Sequence, residues 1–153
     1  MKYENLLDEA VDNGIYVIEN ADFKSKSEGL INGDVIGINK RVRSFKKRAC
    51  ILTEEMGHYY TTAGNIICQS SVSNRKQELR ARLWAYNRLI GLRGIIDAFN
   101  YGCRSIHEAA EYLDVTEEFL LEAINCYKSK YGLYATIDNY VIYFEPISVL
   151  ELI

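Results

Sequence analysis

Thr53-Glu54-Glu55-Met56-Gly57-His58-Tyr59-Tyr60 is the run of this 153-residue chain with the most chemistry in it. Ser44 can cap a helix over 44–60, because Phe45, Ala49, Leu52 and Met56 fall on one apolar stripe. On that helix Glu54 and His58 stand four residues apart and share a face, while Glu55 is turned about a quarter of the circumference away. Two ligands and a nearby base can therefore meet one metal. The spacing is that of His-Glu-x-x-His metallopeptidases, with Glu54 where the first histidine stands. The competing reading is a solvated acidic patch with one surface histidine, and local context opposes it. Neither carboxylate has a basic partner three or four residues away on its own helix. Both acids also lie toward the C-terminal half of a helix whose first turn holds Lys46, Lys47 and Arg48, opposite to what the helix dipole favours. Residues placed against local preference point to a functional demand. Gly57 costs up to about 1 kcal/mol of helix propensity, which is understandable if another backbone or a ligand approaches there.

Working outward, Leu6, Leu7, Ala10 and Val11 recur at helical spacing over 4–11, and Asn13-Gly14 stops that helix. Ile15-Tyr16-Val17-Ile18 reads as a short buried strand. Residues 29–31 and 34–38 flank Asn32-Gly33, a hairpin signal that completes a small antiparallel sheet. Beyond the metal-site helix, Gly64-Asn65 ends the segment and a polar loop, 69–73, leads to a second long helix over 74–90. Gly91 and Gly94 interrupt it before a shorter helix ending at Gly102. Ser105 with Glu108 forms a capping box for a helix to about 113, and Thr116 caps the next, which runs to Tyr131 and stops at Gly132. Residues 133–137 and 140–144 flank Asp138-Asn139, a second hairpin, before Pro146 and a short apolar tail. The expected fold class is α+β. It has a small N-terminal antiparallel sheet, a zincin-like metal-site helix packed on a second long helix, and a helical C-terminal half with a terminal β-hairpin. Functionally the chain divides into a metallopeptidase-like part, 1–102, and a helix-turn-helix-like pair with its hairpin, 103–153.

A third ligand has to come from a neighbouring helix. Glu78 is the best candidate, since Ala81 and Ala85 give its helix a small-residue face that permits close packing. Surface ion pairs with Arg75 and Arg82 are the alternative use of Glu78. His107 is most simply a first-turn helix residue; adjacent Glu108 and Glu111 are the only acids near it at ligand spacing.

The run from Arg48 to Thr61, followed by Glu78, Ala81 and Trp84-Ala85, resembles the ImmA/IrrE family of metallopeptidase-like proteins, especially short members from mobile elements and prophages. In that family a His-Glu-x-x-Gly-His helix supplies two zinc ligands and the general base, and a glutamate on the next helix supplies the third ligand. The resemblance implies that His58 and Glu78 are ligands, that Glu54 replaces the first histidine ligand, and that Glu55 is the catalytic base. It also implies a protein substrate or partner, a helix-turn-helix repressor of a mobile element. The implied metal is Zn²⁺. One His with two carboxylates is a harder, more anionic set than two His with one, so Mn²⁺ or Fe²⁺ become more competitive. The added anion also weakens the metal as a Lewis acid. Two functions follow: a metallo-endopeptidase, or an inactive protein-binding module (an anti-repressor) that keeps the peptidase fold. Tyr59 or Tyr60 either stabilises an oxyanion or serves as a core or rim aromatic.

Composition excludes several other classes. With 48% hydrophobic residues and a single proline, the chain can build a core and is not disordered. Eighteen Lys and Arg against 21 Asp and Glu, for a net charge of −3, supply no global pull toward nucleic acid or an anionic membrane. The two C-terminal helices and hairpin have the order of a winged helix-turn-helix. Glu117, Glu118 and Glu122 stand where phosphates would lie, so charge disfavours direct DNA binding. The charged N-terminus lacks a signal-peptide core, and no apolar run reaches about 18 residues, which places the expected protein in the cytoplasm. Cys50, Cys68, Cys103 and Cys126 are widely spaced and read as free thiols, mostly buried.

Overall fold

In the computed structural model, which describes residues 1–62 and 71–153, the Leu6/Ala10 stripe forms α1 (Lys2–Asp12) with both side chains fully buried. Gly14, at φ 77°, then turns the chain into β1 (Tyr16–Ala21). β2 (Gly29–Asn32) and β3 (Val35–Asn39) form the expected hairpin, but the turn is centred one residue later, on Gly33-Asp34, with Gly33 at φ 63°. Glycine takes that positive φ without steric cost. The strand order is β1-β3-β2, and β1 runs parallel to β3, with Tyr16 opposite Val35 and Ile18 opposite Gly37. The sheet is thus mixed rather than wholly antiparallel. Strand direction depends on which neighbour β1 meets, and periodicity carries no such information. Ile36 and Ile38 are fully buried with Leu52 and Met56 of α2 (Phe45–Thr61), so one face of the sheet packs on the helix that carries the motif.

Contacts divide the chain into two units, Met1–Ala85 and Tyr86–Ile153, and the division falls inside α3 (Ser71–Leu89). α3 starts before the expected residue 74. Gly64-Asn65, Cys68 and the first part of the expected 69–73 loop lie outside the described residues.

In the second unit, Gly91 at φ 65° breaks the helical run. Gly94 is accommodated inside α4 (Gly91–Tyr101), where a Cβ would lie 3.3 Å from Leu113 Cδ2. Ser105 caps α5 (Ile106–Leu113) by accepting from the Glu108 N–H at 3.1 Å, while Glu108 accepts from the Arg104 N–H at 2.8 Å. The side chain thus reaches one residue further back than the usual capping box. Thr116 caps α6 (Glu117–Tyr131) through the Phe119 N–H at 3.1 Å. Phe119, Leu120, Ala123 and Tyr127 bury its inner face, and the Tyr127 hydroxyl donates to Asn87 at 2.9 Å. β4 (Tyr134–Ile137) and β5 (Tyr140–Phe144) pair across Asp138-Asn139, with Asp138 at φ 52°. The apolar tail is β6 (Ile147–Glu151), a third antiparallel strand whose Val149 is buried between exposed Ser148 and Leu150. Two alternating apolar residues were too few to announce a strand.

Candidate metal centre

Ser44 starts α2 by accepting from the Lys47 N–H at 3.3 Å, and the buried Arg48 sets the helix against its surroundings. Arg48 donates to the Val42 carbonyl at 2.8 Å, to the Glu19 carbonyl at 2.7 Å and to Asn20 Oδ1 at 3.1 Å. This accounts for one of the cations placed against the helix dipole: Arg48 ties the start of α2 to β1 and to the preceding loop. Arg48→Ala is expected to cost about 2 kcal/mol, read as a lower urea midpoint, because it strips a partner from the buried Val42 carbonyl and another from the part-buried Glu19 carbonyl.

Two and a half turns further on, α2 meets α3 at Gly57. A Cβ there would lie 2.3 Å from the Ala81 carbonyl oxygen, so the approaching group is backbone. Ala81 and Ala85 are fully buried, as the small-residue face requires. Tyr60 adds a ring contact with Trp84, centroids 4.9 Å apart, and Tyr59 meets the Tyr60 ring edge-on at 5.2 Å. Both tyrosines are half-buried, and the Tyr60 ring joins the two helices.

This packing brings His58 and Glu78 together. Nε2 of His58 lies 3.2 Å from Oε2 of Glu78, across two helices and 20 positions of sequence. Two ligand atoms about 2.1 Å from one tetrahedral metal stand about 3.4 Å from each other, so this pair is already near chelating separation. The second Glu78 oxygen accepts from Arg82 Nε at 3.1 Å, which is the ion pair that sequence offered as its alternative. Glu78 makes both contacts. Glu54 is half-buried one turn before His58, and no group of three donors at metal-binding spacing forms among the described residues.

Glu55 is half-buried between α2 and β2. Burial, and then the negative charge of Glu78, push its carboxyl up to about 7. His58 and Glu78 are two donors of the kind a divalent cation takes, and a cation there would offset the repulsion between Glu78 and Glu55. The chemistry of these two donors suits a metal of that class, and among the described residues no third donor completes the group.

Sequence reading missed Gly29 at the start of β2. A Cβ on Gly29 would lie 2.5 Å from Ile51 Cγ2 and 3.1 Å from Glu55 Oε1, so this glycine lets the edge strand close over the carboxyl. Its only local signal was a glycine where a strand begins. His107, in the second unit, pairs with Glu117 at 2.6 Å on an exposed surface and belongs to no metal-binding group among the described residues. Cys50 is buried, and Cys103 and Cys126 are partly exposed.

No helix among the described residues is long and apolar enough to cross a membrane. No curated protein and no solved structure matches the chain. Residues 11–125 match the family described as the IrrE N-terminal-like domain, a peptidase family. The match covers 115 of the 153 residues and takes in both helices of the centre. With a match over three quarters of its length, the chain belongs to the IrrE N-terminal-like peptidase family.

Proposed function

We propose that the protein is a metal-dependent endopeptidase that acts in the cytoplasm on a helix-turn-helix repressor of a mobile element. The observation that carries this reading is the 3.2 Å approach of His58 to Glu78 beside the half-buried Glu55. Glu54, His58 and Glu78 would hold a divalent metal, Zn²⁺ first and Mn²⁺ or Fe²⁺ next, which supplies Lewis-acid activation of water when bound. Glu55 takes a proton from the attacking water and gives it to the leaving amine. β2 is an edge strand, and an extended substrate segment can add to it, fixed by main-chain hydrogen bonds. In this reading residues 1–102 carry the chemistry, and 103–153 form an accessory surface that meets the protein partner rather than DNA.

Protein purified without chelator is expected to contain about one equivalent of divalent metal, and His58→Ala to lose most of it, measured by elemental analysis. Equal, near-zero content in both would sink the metal site. Incubation with the repressor encoded nearest to it then reads turnover as a single defined cut. One observation favours a second reading: Glu54 stands at the position of the family's first histidine. In that reading the cleft binds the repressor without cutting it, and the captured partner is recovered at its intact mass.

A further inference from the structure

We infer that the cleft prefers an acidic segment of its protein substrate, on the C-terminal side of the scissile bond. The inference rests on the proposed endopeptidase reading for its register, though not for its charge preference.

Between positions 40 and 48 the chain carries six of its 18 Lys and Arg and no acid, in a protein of net charge −3. The fold gathers part of this run with a cation from the β1–β2 connection. Lys26, Arg41, Arg43 and Lys47 line one open depression of about 430 Å³, together with Glu28 and Ser44. Four cations against one carboxylate leave the depression strongly positive. Glu28 is engaged by Lys47 at 2.8 Å. Arg41 is held by neutral acceptors, Asn39 Oδ1 at 3.3 Å and the Ser25 carbonyl at 3.4 Å, so its charge is positioned without being neutralised. Exposed Lys26 and Arg43 have no carboxylate partner among the described residues. The hydrogen bonds of Asn39 and Arg41 hold the Arg41 charge and the backbone of the 25–27 segment in place, and like charges so concentrated are costly unless an anion offsets them.

The depression lies at the N-terminal end of β2, where Glu28 lines it just before Gly29. Lys26 precedes β2 by three residues, and Gly29, the first residue of β2, lies against Glu55. Lys47 and Glu55 are eight residues apart on α2, about 12 Å at the helical rise, which is three or four residues of extended chain. A segment added antiparallel to β2 runs toward Lys26 with its C-terminal side. Its third or fourth residue beyond the reacting bond therefore meets Lys26, Arg41 and Arg43, where a carboxylate is favoured and a cation repelled.

The test uses full-length protein and two labelled dodecapeptides that differ only in one block, Asp-Glu-Asp or Lys-Arg-Lys, read by fluorescence anisotropy. The acidic peptide is expected to bind about tenfold more tightly at low salt, the preference shrinking as salt rises. The double variant K26E/R43E should invert the preference, and K26Q/R43Q should abolish it with an unchanged thermal melt. A ratio within about twofold, or a preference that survives K26E/R43E, would overturn the inference. So would tighter binding of duplex DNA or anionic vesicles through the same two residues. Binding needs no turnover, so a protein that prefers the acidic peptide but cuts nothing defeats only the endopeptidase reading. If it does cut, mapped sites in a mixed peptide digest should be enriched in Asp and Glu at the third and fourth positions after the cut.

Discussion

Gly57→Ala is expected to destabilise the N-terminal unit by about 3 kcal/mol or more and to abolish metal retention, although the substitution is favourable to an isolated helix by up to about 1 kcal/mol. The sign reverses because the added Cβ would meet the Ala81 carbonyl oxygen at 2.3 Å, and a backbone atom of α3 cannot swing aside as a side-chain tip would. α3 must move away from α2, and Glu78 moves with it, breaking the 3.2 Å approach to His58. Thermal denaturation and elemental analysis on the same sample check both consequences. A stable Gly57→Ala protein that keeps its metal would show that the helices do not need this contact.

Glu55→Gln is expected to lower the turnover number by about 10²–10⁴ while leaving metal content and partner affinity nearly unchanged. Glutamine keeps the shape of the side chain and its place under Gly29, but it cannot take a proton from water. Its thermal midpoint should not fall, because the substitution removes a carboxylate that burial and the Glu78 charge both disfavour. The mass of the captured repressor and the cleavage rate are the two readouts. Cleavage that persists in the variant would remove Glu55 from the role of base. If the protein is a binder without turnover, the variant should match the wild type in every assay.

The two substitutions test different kinds of information. The shared face of Glu54 and His58, with Glu55 turned a quarter of the circumference from it, was legible from spacing on a helix, since residues one turn apart share a face wherever that helix is placed. The same local logic located Ala49, Leu52 and Met56 on the buried stripe of α2, where Phe45 is exposed instead, and the caps Ser44, Ser105 and Thr116. It also placed the stop at Gly102, which adopts φ 111°. Each depends on neighbours within about one turn. Gly57 was legible only as an anomaly. Its cost to the helix announced a close approach, but whether a backbone or a ligand approached was left open, because the answer lies on another element.

Local sequence thus determined the helices, the caps, two hairpins and the α+β class, because periodicity and turn chemistry act over a few positions. Tertiary structure alone decided that β1 runs parallel to β3, that the C-terminal tail is a third strand, and that Arg48 is a buried strut rather than a surface cation. It also decided that Gly29 closes over Glu55 and that Glu78 divides its two oxygens between His58 and Arg82. These are pairings between residues distant in the chain. They depend on which backbones come near enough to touch, and that distance has no signature in the order of the residues on either side.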